Sequence, residues 1–185
     1  ENDDQLAQLA SLNLEGDVYP NGEAIFYVIP AELALIQNIG LEYRIEKEDL
    51  PAFSANFWQI QDNSREAYHS WEEIIALADS LVGAFPAICQ KTVYGTSMGG
   101  RELGALKITD NVTLDENEAE IMFDGGIHGD EIGCAENCIR FARDLCTNYG
   151  VDPTITELVD SREIWIYYMV NPDGRANMVR YNNNG

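Results

Sequence analysis

The chain has 185 residues, of which 45% are hydrophobic, so it can form one good-sized domain or a small domain followed by most of another. Its 32 acidic and 11 basic residues give a formal net charge of -21, which would repel phosphate backbones and argues against a nucleic-acid partner. No apolar run approaches the roughly 20 residues that cross a bilayer, so we expect no membrane span.

The first fifty residues predict a small α+β unit. Leucines at helical spacing predict a helix through Leu12, and an aromatic and β-branched run predicts a strand over residues 23–29. Pro30 opens a second predicted helix, and Gly40 is well placed to end it. Apolar and charged residues alternate over 41–46, which predicts a further strand. With one extra strand, this order would complete a split βαβ, or ferredoxin-like, arrangement.

A second unit is predicted after residue 65. Residues 51–65 lose periodicity and become polar, which predicts a connection between domains 1–50 and 66–185. Ser70 and Glu73 have the spacing of a capping box and predict the first helix of the second unit. Two strands follow in the pattern, and the glycine-rich segment between them is typical of a hairpin loop.

The rest of the chain alternates predicted strands and helices. Residues 120–123 predict a short buried strand, and the apolar residues from Cys134 to Leu145 recur at helical spacing. A short helix over 154–161 and a buried strand over 163–170 complete the pattern. The predicted fold is therefore α/β, with a mixed sheet flanked by helices and preceded by the small α+β unit.

His128 and Glu131 lie in a glycine-rich stretch that directly follows a predicted strand. Imidazole nitrogen and carboxylate oxygen are ligands that zinc accepts, and two intervening residues let both side chains converge on one cation. The alternative is a glycine-rich turn with a solvated histidine and glutamate. His69, the only other histidine, precedes a helix cap without an adjacent second ligand, so we interpret it as structural.

Residues 171–175 form a second polar turn after a predicted strand. Because ligands bind outside the carboxyl ends of strands in open α/β sheets, we expect this turn to meet the His128 loop at one sheet edge. The four cysteines lack zinc-finger spacing and are predicted to be small core residues, with a disulfide that involves Cys89 or Cys146 as the alternative.

The order of four motifs resembles the zinc metallocarboxypeptidases, the family of carboxypeptidases A and B. The resemblance covers about residues 68–185, and the segment before it is similar to a partial pro-domain of the secreted members. The motifs are Tyr68-His69-Ser70-Trp71-Glu72-Glu73, Gly95-Thr96-Ser97 with Gly100-Arg101, Gly126-Ile127-His128-Gly129-Asp130-Glu131, and Val170-Asn171-Pro172-Asp173-Gly174.

The resemblance implies a Zn²⁺ cofactor, with His128 and Glu131 as the first two ligands. Arg180 matches the family arginine that polarises the scissile carbonyl, and Arg175 is a competing candidate that aligns less well. Asp130 replaces the arginine or asparagine of other members and is expected to cap the following helix or to disfavour acidic substrates. The family's third ligand and general base fall beyond the matched segment, so we expect an N-terminal fragment.

The expected function is a zinc-dependent carboxypeptidase that removes C-terminal residues from peptides and is secreted or periplasmic. Two alternatives remain open at this point. One is an amidase or deacylase on the same scaffold. The other is a noncatalytic binding module that associates with a partner through unfinished sheet edges.

Overall fold

The computed structural model of the protein describes residues 3–14, 16–61 and 68–181. The chain divides into two compact units, residues 1–50 and residues 51–185. Within the described residues, no helix combines the length and the apolar character that crossing a membrane requires.

Among its described residues, the first unit has two helices and one antiparallel hairpin. Gln5 joins the helices, because its Nε2 donates to the carbonyl oxygens of Ile39 (3.1 Å) and Gly40 (3.2 Å). Gly40 ends the second helix in the left-handed region, as expected, with φ of 76°. The elements are α1 (Asp3–Ser11), β1 (Gly16–Val18), β2 (Ala24–Phe26) and α2 (Pro30–Ile39), and β1 pairs with β2.

The strand predicted over residues 41–46 is wrong, because the structure has no strand there. The alternation of apolar and charged residues is real, but Tyr43 and Ile45 remain exposed. A strand needs a neighbour to satisfy its backbone N–H and C=O groups, and no described segment pairs with this one. Alternation without a partner therefore does not produce a strand.

The second unit contains five helices and four strands within the described residues. Its elements are α3 (Leu50–Gln61), which begins at the border between the units, α4 (Trp71–Ala84), β3 (Cys89–Thr96), β4 (Glu102–Ile108), β5 (Ala119–Asp124), α5 (Ile132–Asn148), α6 (Pro153–Asp160), β6 (Arg162–Tyr167) and α7 (Pro172–Asn177). The capping box is present as predicted, with Ser70 as the N-cap of α4 and Glu73 as its reciprocal partner.

The connection predicted over residues 51–65 is wrong through residue 61, where the chain is helical; residues 62–65 lie outside the described residues. Phe53 and Phe57 have helical spacing and are half-buried, a pattern that the polar residues after them obscured. Ser54 is buried and donates from Oγ to the carbonyl of Asn177 at 2.6 Å. The helix is thus held to the second unit by contacts that its sequence does not reveal.

The sheet has the strand order β3-β4-β6-β5 and is mixed, as predicted. The pairs β3/β4 and β4/β6 are antiparallel, whereas β5 and β6 are parallel. The apolar side chains of β4 and β6 pack against α4, α5 and α6 in one core. Its fully buried members include Ile74, Ala78, Leu106, Ile108, Ile139, Leu145, Val159 and Ile166.

The strand β5 is not the buried strand that its composition predicted. It lies at the end of the sheet and, within the described residues, pairs only with β6. Met122 is 65% exposed and Phe123 is 41% exposed, although the Phe123 ring contacts the Phe141 ring of α5 with centroids 5.1 Å apart. A short apolar run fits an interior strand and an edge strand equally, so the position in the sheet decides its exposure.

Candidate metal centre

The parallel pairing of β5 and β6 continues into the loops that follow these strands. The amide of Gly125 donates to the carbonyl of Tyr167, and the amides of Val170 and Asn171 donate to the carbonyls of Gly125 and Gly126, each at 2.9 Å. These bonds join the His128 loop to the turn before α7. The predicted meeting of the two polar turns is therefore confirmed.

Two glycines let the His128 loop fit against α7. Gly126 has φ of +67°, a conformation that side chains with a Cβ rarely adopt. Gly129 lies against the first turn of α7, where an added Cβ would be only 2.0 Å from the carbonyl carbon of Gly174. The backbone between His128 and Glu131 is consequently held in close contact with α7.

The side chains of His128 and Glu131 converge at the end of this loop. His128 Nδ1 lies 3.1 Å from Glu131 Oε1, and both side chains are partly exposed. Tetrahedral zinc ligands at about 2.0–2.1 Å from the metal lie about 3.3 Å from each other, so this pair has the spacing of two zinc ligands once Nδ1 gives up the proton that it shares with Glu131. The hydrogen bond with His128 lowers the pKa of Glu131, which favours the ionised form that a metal requires.

Arg180 lies beside this pair, and its backbone is fixed there. The carbonyl of Arg180 accepts hydrogen bonds from the Gly129 amide at 3.3 Å and from Asn171 Nδ2 at 3.2 Å. Its guanidinium Nη1 lies 3.2 Å from Glu131 Oε1 and 3.9 Å from Asp130 Oδ1. The sequence did not indicate that Asn171 holds Arg180, although the Asn-Pro-Asp-Gly motif drew attention to Asn171.

Arg175 faces away from the candidate ligands. It is 2% exposed, and its Nη1 and Nη2 donate to the carbonyls of Ile132 (2.8 Å) and His69 (2.6 Å). Its guanidinium carbon lies 5.0 Å from the centroid of the Trp58 ring. Burial lowers the pKa of Arg175 to about 10. Because its outer nitrogens are bonded to backbone oxygens, the structure does not support Arg175 as the group that faces a substrate carbonyl.

His69 has a partner that the sequence did not indicate. Glu136 is 3% exposed and accepts from the His69 amide at 3.1 Å, and its Oε1 lies 2.9 Å from His69 Nδ1. Arg140 Nε donates to the same carboxylate. Burial raises the pKa of Glu136, but the hydrogen bonds from His69 and Arg140 outweigh it, and the pKa is lowered. The structural interpretation of His69 agrees with this contact.

The glycine-rich loop between β3 and β4 is also tied to α7. The buried carboxylate of Asp173 accepts hydrogen bonds from Ser97 Oγ, the Gly99 amide and Arg101 Nη1, each at 2.8 Å. The sequence pattern indicated only a hairpin loop. The structure adds that this loop anchors α7, which in turn packs against the His128 loop.

Asp130 does not occupy the N-cap position of the helix that follows it. The N-cap of α5 is Glu131, and Asp130 lies one residue earlier, near Arg180.

All four cysteines are free thiols. Cys89 and Cys146 are buried in the core as predicted, whereas Cys134 on the first turn of α5 is exposed.

A family model described as zinc carboxypeptidase matches residues 74–183, which is more than half of the chain. The chain belongs to the zinc carboxypeptidase family. Its relatives include a zinc carboxypeptidase of Saccharothrix mutabilis subsp. capreolus, 41% identical over 58% of this chain and 25% of that protein. Carboxypeptidase A1 of Rattus norvegicus is 31% identical over 77% of this chain and 33% of that protein. The chain thus spans about a quarter to a third of these relatives.

Two solved structures share the fold at low sequence identity. The carboxypeptidase A of Helicoverpa armigera superposes with a TM-score of 0.68 and 19% identity, covering 98% of this chain and 50% of that one. The thrombin activatable fibrinolysis inhibitor gives a TM-score of 0.64 and 20% identity over 96% of this chain and 50% of that one. These similarities confirm the predicted α/β architecture.

Proposed function

We propose that this chain forms part of a zinc-dependent carboxypeptidase and supplies two of its zinc ligands, His128 and Glu131. The observation that supports the proposal is the 3.1 Å contact between their donor atoms in a chain of the zinc carboxypeptidase family. Zinc in such a site polarises the scissile carbonyl and activates water for hydrolysis. The substrate class is the C-terminal end of a peptide.

Arg180 is proposed to stabilise the negative charge that develops on the substrate carbonyl oxygen. A guanidinium keeps its charge at all physiological pH values, and its planar donors suit an oxygen anion. The hydrogen bonds to the Arg180 carbonyl fix its backbone, so little reorganisation is needed when charge develops. Its ion pair with Glu131 at 3.2 Å keeps the guanidinium near the proposed zinc position.

Two ligands do not complete a tetrahedral zinc site. The chain contains two histidines, and His69 contacts Glu136 rather than the proposed site. We therefore expect weak zinc binding and negligible turnover by residues 1–185 alone, with a further ligand and a general base supplied from elsewhere in the complete site.

Zinc titration by calorimetry tests this proposal. His128→Ala and Glu131→Ala should each weaken zinc binding by about tenfold or more, because each removes one ligand. The control is Glu118→Ala. Glu118 lies in an acidic loop with Asp110 and Glu116, and one carboxylate oxygen of each residue lies within 4.8 Å of the others. Zinc binding that survives His128→Ala but is lost in the control would place the ion in the acidic loop and refute the proposal.

A noncatalytic role in association is the second candidate, and the exposed strand β5 favours it. Within the described residues, this strand has one free edge and presents Met122 and Phe123 to solvent. Free strand edges pair with other chains unless they are covered. Light scattering after size exclusion distinguishes the candidates: a monomer at high concentration argues against association, and a dimer that Met122→Lys dissociates supports it.

A further inference from the structure

The burial of Arg175 is not explained by an ion pair within the described part of the chain. Its guanidinium is 2% exposed, and its Nε has no hydrogen-bond partner there. Taking a charged group out of water is costly unless its environment compensates. Compensation here comes from two backbone carbonyls, from the face of Trp58, 5.0 Å from the guanidinium carbon, and from the negative charge of Glu136.

The two carbonyls that Arg175 contacts belong to the starts of two helices. His69 directly precedes Ser70, the N-cap of α4, and Ile132 is the first residue of α5. Ile132 also directly follows Glu131, one of the proposed zinc ligands. One planar guanidinium therefore holds the first turn of α5 against the chain that enters α4.

Glu136 makes a second connection between the same two segments. It lies one turn after Ile132 on α5 and accepts hydrogen bonds from the backbone amide of His69 at 3.1 Å, while its Oε1 contacts His69 Nδ1 at 2.9 Å. Arg175, His69, Glu136 and the first turn of α5 thus form a closed ring of contacts. A closed ring restricts the rotation of that turn more than either contact alone, because each contact limits the freedom of the other.

The same ring reaches the other side of the ligand loop through α7. Gly174, the neighbour of Arg175, contacts Gly129 so closely that no Cβ fits between them. The segment from His128 to Glu131 is consequently held at Gly129 by α7 and at Ile132 by the guanidinium. The first attachment is made by the backbone of Gly174 and Arg175, and the second by the Arg175 side chain.

We propose that Arg175 and Glu136 are positioning residues that set the direction of the Glu131 carboxylate toward the zinc. This inference rests on the proposed function, because the positioned group is a proposed zinc ligand. Neither residue contacts zinc or substrate. They act through the backbone of the first turn of α5, as groups bonded to metal ligands do when they orient those ligands.

The test compares Arg175→Met and Glu136→Gln with Leu145→Ala, a core control near the other end of α5. Methionine fills a similar volume without the N–H donors, and glutamine keeps one acceptor oxygen for the His69 amide. Urea denaturation measures the free energy of unfolding of each variant. We expect Leu145→Ala to lose at least as much stability as the two test variants. Zinc affinity is measured by calorimetry, and amide hydrogen exchange is measured at Gly129, Glu131 and Cys134.

Arg175→Met should weaken zinc binding by about tenfold and should speed exchange at the three loop amides, whereas Leu145→Ala should do neither. Glu136→Gln should give smaller changes in the same direction. It also serves as the test variant if Arg175→Met does not fold. If Arg175→Met and Glu136→Gln have the same zinc affinity and the same loop exchange rates as Leu145→Ala, the inference is overturned. If the unmodified chain binds no zinc, the proposed function fails, and unchanged loop exchange in the variants then refutes the positioning role independently.

Discussion

Replacing Gly129 by alanine should destabilise the second unit, whereas the same replacement at Gly133 should stabilise it. A Cβ at Gly129 would lie 2.0 Å from the carbonyl carbon of Gly174 and 2.3 Å from the amide nitrogen of Arg175. Nothing lies within 4 Å of a Cβ built at Gly133, which is the second residue of α5. The two glycines are four residues apart in one motif, so each serves as the control for the other.

The expected magnitudes follow from this geometry. Overpacking costs typically about 1–3 kcal/mol, and we expect about 3 kcal/mol or more for Gly129→Ala because the contacted atoms are backbone and cannot rotate away. Gly133→Ala should gain up to about 1 kcal/mol, since alanine favours the helix over glycine by that amount. The difference between the variants is about 4 kcal/mol in the free energy of unfolding.

Urea denaturation of both variants, followed by tryptophan fluorescence, measures this difference. All three tryptophans, Trp58, Trp71 and Trp165, lie in the second unit, so the signal reports on that unit. Gly129→Ala should also weaken zinc binding, because the clash displaces the loop that carries His128. Equal unfolding midpoints for Gly129→Ala and Gly133→Ala would show that the loop does not pack against α7 as described.

Two further predictions concern hydrogen bonds that Asp173 and Asp152 make with neighbouring segments. Burial raises the pKa of Asp173, but hydrogen bonds from Gly99, Arg101 and Ser97 outweigh it and hold the pKa below its usual value. Its carboxylate therefore stabilises the fold above about pH 4, and this contribution is lost as the pH falls through the lower folded-state pKa. Asp173→Asn should accordingly cost about 2–3 kcal/mol at pH 7, and this cost should shrink as the pH falls below about 4, measured by urea denaturation across this range; a pH-independent cost would contradict this assignment. The Asp152 side chain caps α6 by accepting a hydrogen bond from the Thr154 amide at 2.8 Å. Asp152→Ala should therefore lower the free energy of unfolding by about 1 kcal/mol in urea denaturation and leave zinc affinity unchanged.

Much of the second unit follows from short-range patterns. The capping box at Ser70 and Glu73 predicts the start of α4, and the helical spacing from Cys134 to Leu145 predicts α5. These patterns succeed because the groups that interact are within one or two turns of each other. The predicted meeting of the two polar turns also holds, because parallel strands bring their carboxyl ends to the same edge.

The incorrect predictions share a different cause. Residues 41–46 alternate like a strand but lack a partner, and residues 51–61 are a helix whose polar end resembles a linker. The composition of β5 indicates a buried strand, yet its place at the end of the sheet leaves Met122 exposed. In each case the deciding contact, or its absence, involves residues far away in the chain.

By itself, the sequence determined that His128 and Glu131 lie together, because two residues separate them in a turn that glycines make sharp. Only the tertiary structure decided which arginine accompanies them. Arg175 and Arg180 are five residues apart with the same charge, but Arg175 lies in α7 and is buried, whereas Arg180 follows α7 and reaches Glu131. Such a choice depends on which carbonyls and carboxylates each guanidinium can reach, and distant segments supply those groups only after the chain has folded.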